Sequence, residues 1–175
     1  MEFHPTDLMG CFVVRLKKIA DDRGHFARAF CADEFSRQGL NPRMLQLNAA
    51  ATHRAGTVRG MHYQKAPHEE AKFVRCTRGA IYDVVVDLRP ASPTRGKWFG
   101  IELTAEDGAM VYVPEGCAHG YQTLVDGAEM YYLTSAAYAP DAASGVRFDD
   151  PALAIAWPLP VTVVSEADRQ WPEYA

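Results

Sequence analysis

The chain has 175 residues, nearly half of them hydrophobic, and 22 acidic against 18 basic side chains give a formal charge of −4 at pH 7. That length suits a single domain, 1–175, able to bury a continuous core without staples. The mildly acidic, interspersed charges argue against a nucleic-acid surface or a polybasic membrane patch, and Met1 to Met9 hold no apolar run of the length a signal peptide or spanning helix needs. Cys11, Cys31, Cys76 and Cys117 are scattered with no C-x-x-C spacing, so the expectation is a reduced, cytoplasmic protein.

In chain order, short apolar or alternating runs predict strands over 11–16, 27–31, 44–49, 57–63, 72–77, 81–88, 98–103, 110–113, 121–125 and 130–135. Turn residues separate them, among them Asp22-Arg23-Gly24, Arg78-Gly79, Glu106-Asp107-Gly108, Pro114-Glu115-Gly116 and Asp126-Gly127. Helical signal is confined to 33–38, stopped by Gly39 and capped by Ala32 or Asp33, and to 165–169, where Ser165 can cap with its hydroxyl. Many short, closely spaced strands predict a mainly β sandwich or barrel. The Pro- and Ala-rich piece 136–160 reads as chain wrapping its outside.

Candidate chemistry concentrates in 56–89. His62, Lys72 and Asp83 lie on three successive predicted strands, and Asp83 interrupts an apolar run of Ile81, Val84, Val85 and Val86. A lone buried carboxylate is costly, so Asp83 must be paired or face a cavity. Alternation puts Val58, Gly60, His62 and Gln64 on one face and Arg59, Met61 and Tyr63 on the other, and aligns Met130, Tyr132 and Thr134. A barrel mouth receiving His62, Lys72, Asp83 and Tyr132 would gather an imidazole, an ammonium, a carboxylate and a phenol around one cavity. Taken singly, Lys72 reads as a snorkelling side chain and Tyr132 as an amphipathic core residue.

A set of ordered motifs changes those weights. Asp22-Arg23-Gly24 with Phe26, Gln46-Leu47-Asn48, Gly56 to Gln64 (GTVRGMHYQ), Ala71 to Arg75 (AKFVR), Tyr112 to Gly116 (YVPEG) with Ala118-His119-Gly120, Tyr132, Tyr138-Ala139-Pro140, Trp157-Pro158 and Ser165 to Asp168 (SEAD) resemble the dTDP-4-dehydrorhamnose 3,5-epimerase family over nearly the whole chain. The resemblance implies a cupin-type jelly-roll barrel with a few short helices. It also implies a homodimer that exchanges N-terminal strands, a nucleotide-sugar substrate with a 4-keto group, and no metal or other cofactor. Epimerisation beside a ketone needs a base on one face, support for the enolate oxygen, and an acid on the other face. By resemblance these are His62 oriented by Asp168, Lys72, and Tyr132. The substrate-binding positions implied are Arg23, Phe26, Gln46, Asn48, Arg59, His119 and Tyr138, with Asp83 in support. Arginines suit a diphosphate because the guanidinium fork bonds two oxygens at once, although Arg23 alone also reads as a turn residue pairing with Asp21 or Asp22. Two positions depart from the family pattern: Arg28 replaces the usual glutamate and Ala167 the usual lysine.

Two rival readings are open. In a metal-dependent cupin His119 would belong to a 2-His-1-carboxylate site, but Gln64 stands where a second histidine would be needed beside His62. A non-catalytic sugar-nucleotide-binding cupin would keep the barrel with an altered acid–base set.

Overall fold

The computed structural model describes residues 1–174. In chain order the strands are β1 (Glu2–Pro5), β2 (Phe12–Arg15), β3 (Ile19–Asp21), β4 (Gly24–Phe26), β5 (Gln46–Thr52), β6 (Val58–Gln64), β7 (Lys72–Arg78), β8 (Ala80–Asp87), β9 (Trp98–Thr104), β10 (Met110–Val113), β11 (Cys117–Thr123), β12 (Ala128–Thr134) and β13 (Ala143–Gly145). The helices are short: α1 (Ala32–Arg37), a 3₁₀ turn at Pro140–Ala142, and α2 (Glu166–Arg169).

Two antiparallel sheets make the body, ordered β1-β2-β10-β7-β12-β5 and β13-β6-β11-β8-β9, while β3 and β4 form a separate hairpin. From β5 onward the chain repeatedly crosses between the sheets, so β5, β7, β10 and β12 fall in one and β6, β8, β9, β11 and β13 in the other. That is the connectivity of a jelly roll.

β-Branched side chains explain why β8 can sit buried on both faces. Ile81 and Val85 point between the sheets, where they meet Val74, Cys76, Leu103, Val111 and Met130; Val84 and Val86 point outward onto Met61, Ala118, Val146 and Leu153. The residues of the outer layer come partly from the Pro- and Ala-rich C-terminal piece, which wraps this sheet as its composition suggests. On the far side of the other sheet, Phe35 of α1 is fully buried, with Phe3, Phe30, Phe73 and Tyr112 at ring separations of 4.9 to 5.8 Å. Truncating such a residue costs about 3–5 kcal/mol.

At one end of β8 the space between the sheets is closed by a satisfied charge. Asp87 accepts hydrogen bonds from Arg89 through its backbone N, Nε and Nη2 and from the hydroxyls of Ser92 and Thr94. Burial pushes this carboxyl up, but those donors outweigh burial and hold it well below the usual carboxylate range. All four cysteines are free thiols, and burial pushes Cys11 and Cys117 up to about 12.

Several sequence expectations need correction. Residues 27–31 form no strand: Phe30 leaves the alternating pattern to pack on Phe35, and the nearby strands are the hairpin β3–β4. Helix α1 is capped by neither Ala32 nor Asp33; Cys31 is its N-cap and makes no side-chain cap bond. Strand β11 begins at Cys117 rather than 121, because ladders to β6 and β8 on both sides impose extended backbone on a segment of small and polar residues. Strand β1, carrying Glu2 and Pro5 at a sheet edge, gave no apolar signal. Ser165 does cap α2, its hydroxyl accepting from Asp168 N at 3.1 Å.

Candidate active site

The sheets part at one end around a cavity of about 730 Å³. The five-stranded sheet contributes His62 from β6 and His119 from β11, directly opposite each other across the ladder. The six-stranded sheet contributes Lys72 from β7 and Tyr132 from β12. Beside Tyr132, Asn48 is its cross-strand partner on β5, and Gln46 pairs with Thr134. Period-2 alternation thus brings Met130, Tyr132 and Thr134 to the cavity together, as read from the sequence.

His62 is oriented from outside both sheets. Its Nε2 lies 2.5 Å from Asp168 Oδ1, although the two are 106 residues apart in the chain. Asp168 is buried on α2, and the Ser165 cap fixes where that single turn starts. The same carboxylate accepts from Trp171 Nε1 at 3.2 Å and from Gly60 N at 3.4 Å. Burial pushes the Asp168 carboxyl up, but the hydrogen bond and charge of His62, together with hydrogen bonds from Gly60 and Ser165, outweigh it, so the net displacement is downward. Trp171 also meets the imidazole edge-on, with ring centroids 6.1 Å apart.

Arg59 enters the cavity against the simple alternation rule. The sequence pattern puts it on the face opposite His62, yet both line the cavity because β6 is irregular at Gly60, where the register against β11 shifts. Gly60 has φ of 132°, and a Cβ there would lie 2.5 Å from the Gly120 Cα, so no other residue fits. Arg59 is steadied by Thr52 Oγ1 at 3.2 Å and the Ala51 carbonyl at 3.4 Å. Tyr138 stands at the rim, its ring exposed and its backbone N bonded to Gln46 Oε1 at 3.0 Å.

A second imidazole–carboxylate pair lies deeper. His119 Nε2 is 2.7 Å from Asp83 Oδ2, and both are buried, which answers how an aspartate can interrupt an apolar strand. Lys72 is buried too, 2.7 Å from Glu70 and 3.4 Å from the His62 carbonyl oxygen. Burial, followed by the Glu70 carboxylate, pushes the Tyr132 phenol up from its usual range. Among the described residues, no three His, Cys, Asp or Glu side chains group as a metal ion would need.

Of the residues singled out from the sequence, His62, Lys72, Tyr132, Asp168, Gln46, Asn48, Arg59, His119 and Tyr138 line this cavity, and Asp83 sits behind His119. Arg23 and Phe26 do not. They lie on the exposed hairpin β3–β4, where Arg23 pairs with Asp21 at 2.5 Å. Arg28 pairs with Glu34 at 3.4 Å, and Ala167 is an exposed residue of α2.

Comparison with known proteins fits this arrangement. A profile of the family described as dTDP-4-dehydrorhamnose 3,5-epimerase matches residues 5–175. The chain belongs to that family. An enzyme of this name from Sinorhizobium fredii is 40% identical over 173 residues, covering 98% of this chain and 89% of that one. The crystal structure of a dTDP-4-dehydrorhamnose 3,5-epimerase from Elizabethkingia anophelis superposes with a TM-score of 0.97 at 36% identity, over 99% of this chain and 96% of that one. A 3′-monoepimerase from Streptomyces bikiniensis, solved in complex with dTDP-quinovose, superposes with a TM-score of 0.89 at 36% identity, over 97% and 86% of the two chains. The protein is therefore an isomerase built on a cupin-like jelly roll, in a family that contains both double and single epimerases.

Among the residues of this epimerase's cavity that escaped the sequence reading are Glu70, Gln64 as a structural anchor, and Trp171. An acidic pair Glu69-Glu70 before a strand reads as solvated surface. Gln64 was weighed only as a failed metal ligand, although its side chain bonds the His68 and Ala137 carbonyls and Ala139 N. Trp171 carried a signal, an indole three residues beyond Asp168, which is helical spacing for a shared face.

Proposed function

We propose that this epimerase acts on dTDP-4-keto-6-deoxyglucose or a closely related nucleotide-linked 4-keto-6-deoxyhexose, inverting C3, C5 or both, in deoxysugar biosynthesis in the cytoplasm. A C4 ketone acidifies the hydrogens on its neighbouring carbons. His62, with Nε2 committed to Asp168, takes such a hydrogen through Nδ1, and the carboxylate stabilises the imidazolium that forms. The C–H electron pair moves into the enolate, whose oxygen is met by the Lys72 ammonium. Tyr132 then gives its phenolic proton to the opposite face of the carbon and regains one from solvent, while His62 releases the proton it took. A phenol pushed up by burial stays protonated at neutral pH, as an acid in this role requires.

Arg59 suits the diphosphate, Gln46 and Asn48 neutral hydrogen bonds, and Tyr138 a stacking contact at the rim. Arg23 and Phe26 are assigned to the site of a second subunit. Strands β1 and β2 pair within their own sheet, so the hairpin β3–β4 is the N-terminal segment free to cross. Exposed Ile19, Phe26, Leu45, Leu47 and Tyr131 support a homodimer. So do Arg75 Nε and Thr77 Oγ1, buried without a partner among the described residues at an apolar groove of about 420 Å³.

The observation that carries this reading is one cavity walled by a carboxylate-oriented imidazole on one sheet and a half-buried phenol and a buried ammonium on the other. The test is incubation with dTDP-4-keto-6-deoxyglucose in deuterated water, following solvent hydrogen into the sugar by NMR. Incorporation at C3 and C5 marks a double epimerase and incorporation at one carbon a single one. No incorporation at either carbon removes the substrate assignment.

A further inference from the structure

The cavity wall contains a carboxylate that the reaction as written leaves unused. Glu70, in the loop before β7, places Oε1 2.7 Å from Lys72 Nζ, with the two side chains only 10% and 7% exposed. Its other oxygen accepts from Gln64 Nε2 at 3.4 Å. Gln64 is itself fixed by the His68 and Ala137 carbonyls and by Ala139 N, so the loop before β7 and the loop after β12 are tied together behind the ion pair. On its other side the ammonium reaches the His62 carbonyl oxygen at 3.4 Å. Lysine carries a flexible four-carbon stem, and in an open cavity it would sample many directions. Here two acceptors hold it. A buried ion pair adds little net stability, because desolvation offsets the attraction, so the fold alone gives weak reason to keep one in this wall.

We propose that Glu70 is a positioning residue of the epimerisation, fixing the direction in which the Lys72 ammonium meets the enolate oxygen. The inference rests on the reading that Lys72 and Tyr132 act on a 4-keto sugar. It adds that the oxyanion contact is preorganised by a carboxylate the substrate need not touch. The same negative charge acts on Tyr132: after burial, Glu70 and then Tyr121 push the phenol up, and Arg59 pulls it down. Lys72 from β7, His62 and Tyr63 from β6, His119 from β11, Asp168 from α2 and Tyr138 at the rim are the other titratable side chains that line the cavity. Glu70 therefore couples the group that supports the oxyanion to the group that reprotonates the carbon.

The test is Glu70→Gln, which keeps size and hydrogen-bonding capacity and removes the charge. The expected result is a kcat about 10- to 100-fold lower with KM changed less than about threefold, as for an orienting partner outside direct contact. The alkaline limb of the kcat profile moves to lower pH, because loss of a neighbouring negative charge favours phenol ionisation. Glu70→Asp, which keeps the charge, brings that limb back towards the wild-type position. In a Lys72→Met background, Glu70→Gln changes kcat by less than about twofold, since a residue acting through Lys72 has nothing left to orient. If Glu70→Gln or Lys72→Met is too unstable to assay, Glu70→Asp carries the test: it keeps the charge but shortens the reach to Lys72, so kcat falls while the alkaline limb stays near its wild-type position, and wild-type kcat in that variant overturns the inference. Wild-type kcat with an unmoved alkaline limb in Glu70→Gln overturns the inference, and so does an equal, independent loss of activity in the Lys72→Met background. Wild-type protein that neither turns over nor exchanges deuterium overturns the substrate reading and this inference together, whereas active wild type with an indifferent Glu70→Gln overturns this inference alone.

Discussion

Two histidine–carboxylate pairs stand side by side in the cavity, and their surroundings give them different work. His62 has 45% of its side chain exposed while its partner Asp168 has 7%; His119 has 8% exposed and Asp83 none. Asp168 arrives from α2, far along the chain, and is held by Trp171 and Gly60 as well as by His62. Asp83 lies on the strand adjoining His119, and its Oδ1 has no hydrogen-bond partner among the described residues. Identical functional groups at similar separations are thus divided by access. An imidazole that a ligand can reach, backed by a multiply bonded carboxylate, suits a base that changes charge in every turnover. An imidazole sealed against a strand suits a fixed hydrogen-bonding group in the floor of the site.

Substitutions that split the pairs sharpen that contrast. The largest effect is expected of His62→Asn, which removes the proposed base; turnover is expected to fall about 10³- to 10⁴-fold, and a loss below tenfold in a kinetic assay would place the base elsewhere. Asp168→Asn comes next, with kcat expected to fall about 10²- to 10³-fold because the imidazolium loses its counter-charge.

Asp168→Asn also has a readout in stability. The Asp168 carboxyl is held below its ordinary value, so ionised Asp168 stabilises the fold above the unfolded-state pKa of about 3.9. That contribution is lost as pH falls through the lower folded-state value. Melting curves from pH 6 to pH 2 should therefore show a smaller acid-induced decline in the variant, and a parallel decline in both proteins would mean that Asp168 is not depressed by its partner.

Tyr132→Phe follows. Inversion is expected to slow about 10²-fold while hydrogen exchange on the His62 face persists, and equal loss of both processes would deny the phenol a separate role. The smallest effect is expected of His119→Asn, about tenfold or less in kcat/KM by steady-state kinetics. A loss as large as that of His62→Asn would erase the distinction between the pairs.

How much of this was legible in the sequence depended on how local the signal was. Strands such as β8 and β12 announce themselves because apolar, β-branched or aromatic residues fill most of their length between turn signals, and the period-2 rule alone aligned Tyr132 with Met130 and Thr134. The mainly β class followed from the density of such runs. His62 and Asp168 could be paired only through family resemblance, since nothing in local pattern joins residues 106 apart. Arg59 shows where a period-2 rule fails: Gly60 and the register shift against β11 turn consecutive side chains to one cavity. Glu70 was invisible for the opposite reason, because a short-range acidic pair looks like surface until a neighbouring lysine is found buried against it. Arg23 and Phe26 were read as substrate-binding positions only through the family motif, and their own chain keeps them outside its cavity.

The proposed mechanism stands on His62, and not His119, removing the carbon-bound hydrogen. The most direct measurement compares His62→Asn and His119→Asn side by side with dTDP-4-keto-6-deoxyglucose in deuterated water, reading deuterium at C3 and C5 by NMR. No incorporation above the uncatalysed background is expected for His62→Asn, and clear incorporation for His119→Asn. Exchange that survives loss of His62 and vanishes with His119 would contradict that mechanism.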